Sequence, residues 1–386
     1  MVNVGRRDFL KIAIAVIAGN ATGGFLGSLF ASSASQRRIL ELESEIERLK
    51  SNVQLMLEKD LRVWNWSYYI NEALLDIFSE QTGIPRNNIV YDEFEDPNYV
   101  LTKLEAGGSG YDVVILPDYC VEIARRKKLL MEIEKKLVPN AKFVEEKFLN
   151  PPYDPEGKFS IVYMWGSTGF AWRKEVTEGV YTLEQIFNPD QGFLPKYRKK
   201  ITMLEEALEV VCLAKAYLGK DLDDWSDKTV EEVKEVLLRQ KPYLAGYAGT
   251  EKYYPGLKTG TIYVAQAYNG DIARLREEFG EVQYAVPEEG GTIWTDNFCI
   301  PRDAKNKNSA HAFINFLLDP AVSAVNSSYI RYANPISVSW QFLGDILEDP
   351  IVYPSEDVQK KMWFLPSLSE EERRKVVNLM LEVKAS

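Results

Sequence analysis

The sequence predicts an α/β chain folded as two similar lobes, and three observations lead there. From Leu61 onward, short apolar runs alternate with amphipathic stretches as strand, helix, strand, helix, strand, the signature of a mostly parallel sheet flanked by helices. The same alternation returns after about residue 160, with no internal sequence repeat. Aromatic and acidic residues recur just after the predicted strands, where strand C-termini and helix N-termini of an open α/β layer face a ligand crevice.

The chain opens with "RRDFLK" and then runs without charge from Ile12 to Ala31. Twin arginines before such a run resemble a twin-arginine export signal, and 20 uncharged residues are long enough to span a membrane. Residues 1–35 are therefore expected to be an export signal, either cleaved near the small residues Ala31 to Ala34 or retained as an anchor. In residues 36–60, Ile39, Leu42, Ile46, Leu49, Val53 and Met56 recur at spacings of three and four with charges between them. That stripe predicts a helical stalk and offers a surface for weak self-association.

"LRVWNW" reads as the first strand of the folded part, and "NEALLDIFSEQTG" as an amphipathic helix closed by Gly83. "NNIVYDEF" is a second strand, "NYVLTKLEAG" a helix and "YDVVILP" a buried strand. "DYCVEIARRKKLL" is helical, and a Pro-rich loop covers 150–158. "FSIVYMWGSTGFAWR" begins the second alternation. "TMLEEALEVVCLAKAYLG" reads as a helix whose Thr202 and Glu205 fit a capping box. "TVEEVKEVLLRQ" is a helix, "GTIYVAQAYNGDIARLREEFG" a strand, turn and helix, and "VQYAVP" a strand. Lobe 1 is expected to take 61–163 plus 293–335, and lobe 2 to take 164–292 plus 336–386.

The net charge of −11 argues against nucleic acid, which rewards basic stripes. Cys120, Cys212 and Cys299 are far apart among apolar neighbours and read as buried free thiols, with no metal spacing. The single histidine, His311, reads as a boundary residue on a helix, so a Ser/His/Asp or Cys/His mechanism has little to rest on. No cofactor motif appears.

The candidate site residues are assembled from loop positions. Trp64 and Trp66 share one face of their strand, with Ser67, Tyr68 and Tyr69 in the following loop. Asp118 and Tyr119 follow the buried strand, where Asp118 serves either as a helix cap or as a ligand group. Glu206 and Glu209 are spaced i, i+3 near a helix start, either as a solvated first turn or as paired acids. Tyr268 ends a strand in "AYNGD", and Tyr332 precedes a Pro-containing turn. In "GGTIWTDNFCIP", Trp294 and Asp296 stand side by side at i, i+2. An aromatic plate beside a carboxylate suits a ligand with methylenes and an ammonium. Each cation–π contact contributes roughly 0.5–2 kcal/mol, and the carboxylate accepts a charge-assisted hydrogen bond.

The strings "WNWSYYI", "YDVVILPDY", "IVYMWGST", "AYNGD", "EEGGTIWTDNFCIPRDAKN" and "FINFLLDP" together resemble the periplasmic spermidine/putrescine-binding proteins, the substrate-binding subunits of polyamine ABC importers. The resemblance implies a two-lobed periplasmic solute-binding fold with crossing hinge strands and a polyamine in the interlobe cleft. It implies Trp66 and Trp294 as aromatic walls, with Tyr268 and Tyr332 as further aromatic contacts. Tyr69 and Tyr119 would touch the amine, and Glu206, Glu209 and Asp296 would bind ammonium groups. Tyr68 stands where the family often has an acid, with Asp118 close enough in the pattern to compensate. Phe364 stands where a polar contact is expected. The function expected is capture of putrescine or spermidine and delivery to an ABC permease and its ATPase, without catalysis, cofactor or metal. Two rival readings are the same fold binding another organic cation, thiamine- or betaine-like, and a carboxylate-based hydrolase.

Overall fold

The computed structural model describes residues 57–94 and 97–386. The expected export segment, and the expected stalk up to residue 56, lie outside the described residues. At the end of the stalk span, Glu58 is not helical. Its carboxylate accepts the backbone N–H of Ser309 at 2.8 Å and of Asn308 at 3.3 Å, at the start of the helix Lys307–Leu317. A side chain about 250 positions away thus does the work of an N-cap. Among the described residues, no helix is long and apolar enough to cross a membrane.

Nine strands organise the described residues: β1 (Leu61–Trp66), β2 (Ile89–Phe94), β3 (Val113–Pro117), β4 (Ser160–Arg173), β5 (Ile201–Leu204), β6 (Leu244–Ala248), β7 (Val264–Tyr268), β8 (Val282–Ala285) and β9 (Thr292–Cys299). They belong to two compact units. Unit 1 holds the described residues up to Tyr163 together with Asp296–Ile330 and Asn334–Gly344; unit 2 holds Met164–Thr295, Arg331–Ala333 and Asp345–Ser386. The chain therefore changes unit inside β4 and again inside β9. Residues 336–344, expected in lobe 2, cluster with unit 1, while 293–295 and 331–333, expected in lobe 1, cluster with unit 2.

In unit 1 the strand order is β2-β1-β3-β9. β1 runs parallel to β2 and β3, while β9 pairs antiparallel with β3. In unit 2 the order is β4-β7-β5-β6, with β8 also on β4. There β5 is parallel to β6 and β7, and β4 is antiparallel to β7 and β8. Within each unit the strands thus form a parallel core, as expected of a mostly parallel layer, with antiparallel strands added. The crossing strands β4 and β9 supply the antiparallel partners.

Local sequence accounts for the elements. Val113 to Leu116 of β3 are all buried, as expected for a strand covered on both faces. The helix Ala73–Thr82 buries Leu74, Leu75 and Phe78 and ends at Gly83, whose φ of 74° needs no Cβ and whose N–H reaches Ser79 O at 2.9 Å. Phe78 meets Phe313 edge-on at 5.2 Å between ring centroids, a burial that contributes about 1.5–3 kcal/mol per side chain.

Two sequence expectations fail. Thr202 lies inside β5, and the helix begins only at Ala207, with Glu206 at the N-cap and no side-chain cap bond. The Thr202–Glu205 capping box therefore does not form: "ITML" is β-branched and apolar enough to complete the sheet, and pairing overrides the local helix signal. His311 is buried rather than at a boundary. Its Nε2 accepts the Glu134 N–H at 2.9 Å and its Nδ1 lies 2.6 Å from Lys307 O, so a neutral ring is satisfied at both nitrogens. The three cysteines are buried and form no disulfide, as expected.

Candidate ligand-binding site

In unit 1 the site residues gather around one carboxylate. β1 sends Trp64 and Trp66 to the same side, but they do different work. Trp64 is buried and stacks on Tyr111 with centroids 4.6 Å apart. Trp66, half-buried, lies 4.7 Å from the Phe94 ring, and its indole Nε1 donates to Asp296 Oδ1 at 2.9 Å. Burial pushes the Asp296 carboxyl up to about 6, against the hydrogen bonds of Tyr69 and Trp66. Desolvation thus outweighs two donors, and a charged Asp296 is left short of compensation. Among the described residues it makes no ion pair.

The loop after β1 is tightly held. Ser67 donates its N–H to Phe94 O at 3.1 Å. Tyr68 sits at a φ of 58°, 80% exposed, with its N–H on Glu93 Oε1 at 2.8 Å. Tyr69 is buried edge-on to Tyr163 at 5.5 Å. On the other side of β9, Pro117 of β3 is the register partner of Asp296. Asp118 and Tyr119 therefore begin their helix one step beyond that pair. Asp118 sits in the first turn after the N-cap Pro117, and its Oδ1 accepts the Tyr119 N–H at 2.7 Å.

In unit 2 the aromatic residues converge. Trp294 meets Tyr268 edge-on at 6.2 Å and Tyr332 at 5.5 Å. Two glycines make room for them. A Cβ on Gly166 would fall 2.3 Å from Trp294 Cζ2, and one on Gly270 would fall 2.0 Å from Tyr332 Cζ. The acids of unit 2 are placed differently from one another. Glu209 is buried and accepts the hydroxyls of Thr168 at 2.8 Å and Thr292 at 2.7 Å. Glu206 stands at the N-cap position of the same helix without a side-chain cap bond; the residue is exposed overall, yet desolvation around its carboxyl raises it against the Leu208 backbone N–H and the positive charges of Lys384 and Arg373. Phe364 falls beyond Trp363, whose backbone bonds to Gly291 O and Ile293 N lie beside β9.

As residues i and i+2 of β9, Trp294 and Asp296 share a side of that strand. A buried carboxylate left with neutral donors, as Asp296 is beside the Trp66 indole, has the chemistry to accept a cation: the charge can be matched, and ring faces can shield an ion from water. Sequence reading missed the supports. Asp271, one residue after Gly270, is buried by Tyr253, Thr250 and Arg274 and receives the Tyr332 hydroxyl at 3.5 Å. Glycine next to an aromatic or amide, in "WGST" and "YNGD", was the available signal for the close approaches at Gly166 and Gly270. Thr168 and Thr292 left no such trace.

Residues 73–348 match the family model for bacterial extracellular solute-binding proteins. The chain is 29% identical over 344 residues to the putrescine-binding periplasmic protein SpuD of Pseudomonas aeruginosa, covering 85% of this chain and 92% of that one. It is 29% identical to the putrescine-binding periplasmic protein PotF of Escherichia coli, covering 80% and 86%. The crystal structure of the spermidine/putrescine ABC transporter substrate-binding protein PotD from Streptococcus pneumoniae superposes with a TM-score of 0.78 at 27% identity, over 85% of this chain and 99% of that one. With the matched model spanning most of the folded residues and the two-unit α/β architecture in agreement, the chain belongs to the bacterial extracellular solute-binding protein family.

Proposed function

We propose that this chain is an exported polyamine-binding protein that captures putrescine or spermidine and delivers it to an ABC-type permease and its ATPase. The observation that carries the reading is Asp296: a buried carboxylate, held by an indole N–H, two residues from a second tryptophan, with no cation among the described residues to neutralise it. The names of the similar proteins SpuD, PotF and PotD point to the same ligand class.

In this reading Asp296 receives an ammonium, and Trp66, Tyr69, Asp118 and Tyr119 of unit 1 surround that end of the amine, with Ser67 and Tyr68 at its edge. Trp294, Tyr268 and Tyr332 of unit 2 cover the methylenes, and Glu206 and Glu209 serve further ammonium groups. Glu209, with one hydroxyl on each oxygen, acts as an oriented acceptor. The mechanism is binding alone. Closure around the amine would exclude water and strengthen each charge contact. Export rests on the Arg6–Arg7 segment, and anchoring through 12–31 applies where that segment is kept.

The test is calorimetry on protein unfolded and refolded to strip carried-over ligand, titrated with putrescine, spermidine and spermine, with thiamine as control. A one-to-one isotherm for one of the amines is expected. Silence for all three, or a response to thiamine alone, would move the ligand to another organic cation.

A further inference from the structure

The loop that carries Trp66 to Tyr69 is fixed by a buried chain of amides and a phenol within unit 1. The Asn71 N–H donates to Asn326 Oδ1 at 2.8 Å. Asn326 Nδ2 donates to the Tyr163 hydroxyl at 2.6 Å, and that hydroxyl donates to Tyr69 O at 2.5 Å. At the near end of the loop, Asn65 Oδ1 accepts the Trp66 N–H at 2.8 Å, and Asn65 Nδ2 points at the same Tyr69 O from 3.5 Å. Asn326 is 0% exposed, and Asn65 and Tyr163 are 2% exposed. Burial keeps Tyr163 a neutral phenol, which preserves its role as donor to the carbonyl.

This arrangement costs more than a packed apolar core would. Three polar side chains have been desolvated, and each must keep its partners to avoid a net penalty. Leucine and phenylalanine would fill the space without that requirement. What the polar chain adds is direction: it grips the backbone of the loop at Trp66, Tyr69 and Asn71. Tyr163 is also the last residue of unit 1 on β4, with Met164 the first residue of unit 2. The loop is thereby referenced to the point at which β4 leaves the unit.

We propose that Tyr163 and Asn326 are positioning residues for ligand capture, holding the Trp66–Tyr69 loop in its binding conformation from the crossover strand. The inference deepens the polyamine reading and rests on it for the ligand. Its grip on the loop stands on geometry alone.

The experiment compares Tyr163→Phe and Asn326→Leu in the full chain with wild type and with Phe313→Leu. Phe313 is a buried residue of the helix Lys307–Leu317, and its substitution lowers stability without touching the loop. Two quantities are read below the melting temperature of every variant: backbone amide exchange over residues 66–71 without ligand, and the dissociation constant for the amine that wild type binds. The expected result is at least tenfold faster exchange in the loop, and at least tenfold weaker binding, in both loop variants but not in Phe313→Leu. Loop exchange no faster than in Phe313→Leu would overturn the inference. A loosened loop with unchanged affinity would overturn it as well, because the pair would then be structural only. If wild type binds none of the amines, the polyamine reading falls, while the exchange comparison still decides whether this pair holds the loop.

Discussion

Two buried aspartates, one in each unit, show how differently the same side chain is used. Asp271 of unit 2 carries its own cation. Arg274 donates to it at 2.9 Å, and the hydroxyls of Tyr253 and Thr250 reach it at 2.5 and 2.8 Å. Asp296 of unit 1 has the Trp66 indole and the Tyr69 phenol but, among the described residues, no cation, and burial raises it to about 6. A buried carboxylate with an internal partner is a structural strut. One left with neutral donors is poised for a cation from outside. Asp271 reaches the candidate site residue Tyr332 only through its hydroxyl at 3.5 Å, while Asp296 is where charge recognition is expected.

The contrast predicts opposite phenotypes. Asp296→Ala should abolish amine binding, a loss of at least a hundredfold measured by calorimetry, while the ligand-free melting temperature holds or rises, because a costly buried charge has gone. Asp271→Ala should instead lower stability by about 1.5–3 kcal/mol, the range for hydrogen bonds to charged groups, read by denaturant unfolding, with a smaller effect on affinity. If both substitutions cost stability alike and leave affinity alike, the distinction between strut and receptor is lost.

Next in size is Trp294→Ala, expected to weaken binding by roughly 1–3 kcal/mol through lost cation–π and apolar contact. Affinity measured against pH sharpens the same point. The folded Asp296 carboxyl titrates near 6, above the ordinary carboxylate value of about 3.9. Its contribution to ligand-free stability is therefore fully present below about pH 4 and lost as pH rises through about 6. Amine binding needs the ionised form and should follow the reverse course, weakening as pH falls below about 6. The smallest effect expected is that of Glu205→Ala. Because the helix starts at Ala207 without a side-chain cap, neither melting temperature nor affinity should change measurably.

Much of this was legible in the sequence. Strands and helices of unit 1 could be read in order because periodicity and punctuation agree there, as in the Leu74–Leu75–Phe78 face closed by Gly83. Trp294 and Asp296 were readable as a pair because a strand fixes i and i+2 on one side. What local sequence could not carry was competition between levels. "ITMLEE" satisfies both a helix start and a strand, and only the neighbouring β6 and β7 decide it. Trp64 and Trp66 look alike in sequence, and Tyr111 stacked on one and Asp296 bonded to the other separate them. Partners 144 to 255 positions apart, such as Tyr153 with Asn297 or Asn71 with Asn326, leave no local pattern at all.

The most direct test of Asp296 as the receptor is a proton count. Amine binding would be followed by calorimetry near pH 6 in two buffers of different ionisation enthalpy, where the polyamine itself stays fully charged. If an ammonium settles on Asp296, binding holds that carboxylate ionised, and a fraction of a proton is released. The release fades by about pH 8 and is absent from any residual binding by Asp296→Asn. Binding with no proton exchanged at pH 6, or the same release in Asp296→Asn, would contradict the account.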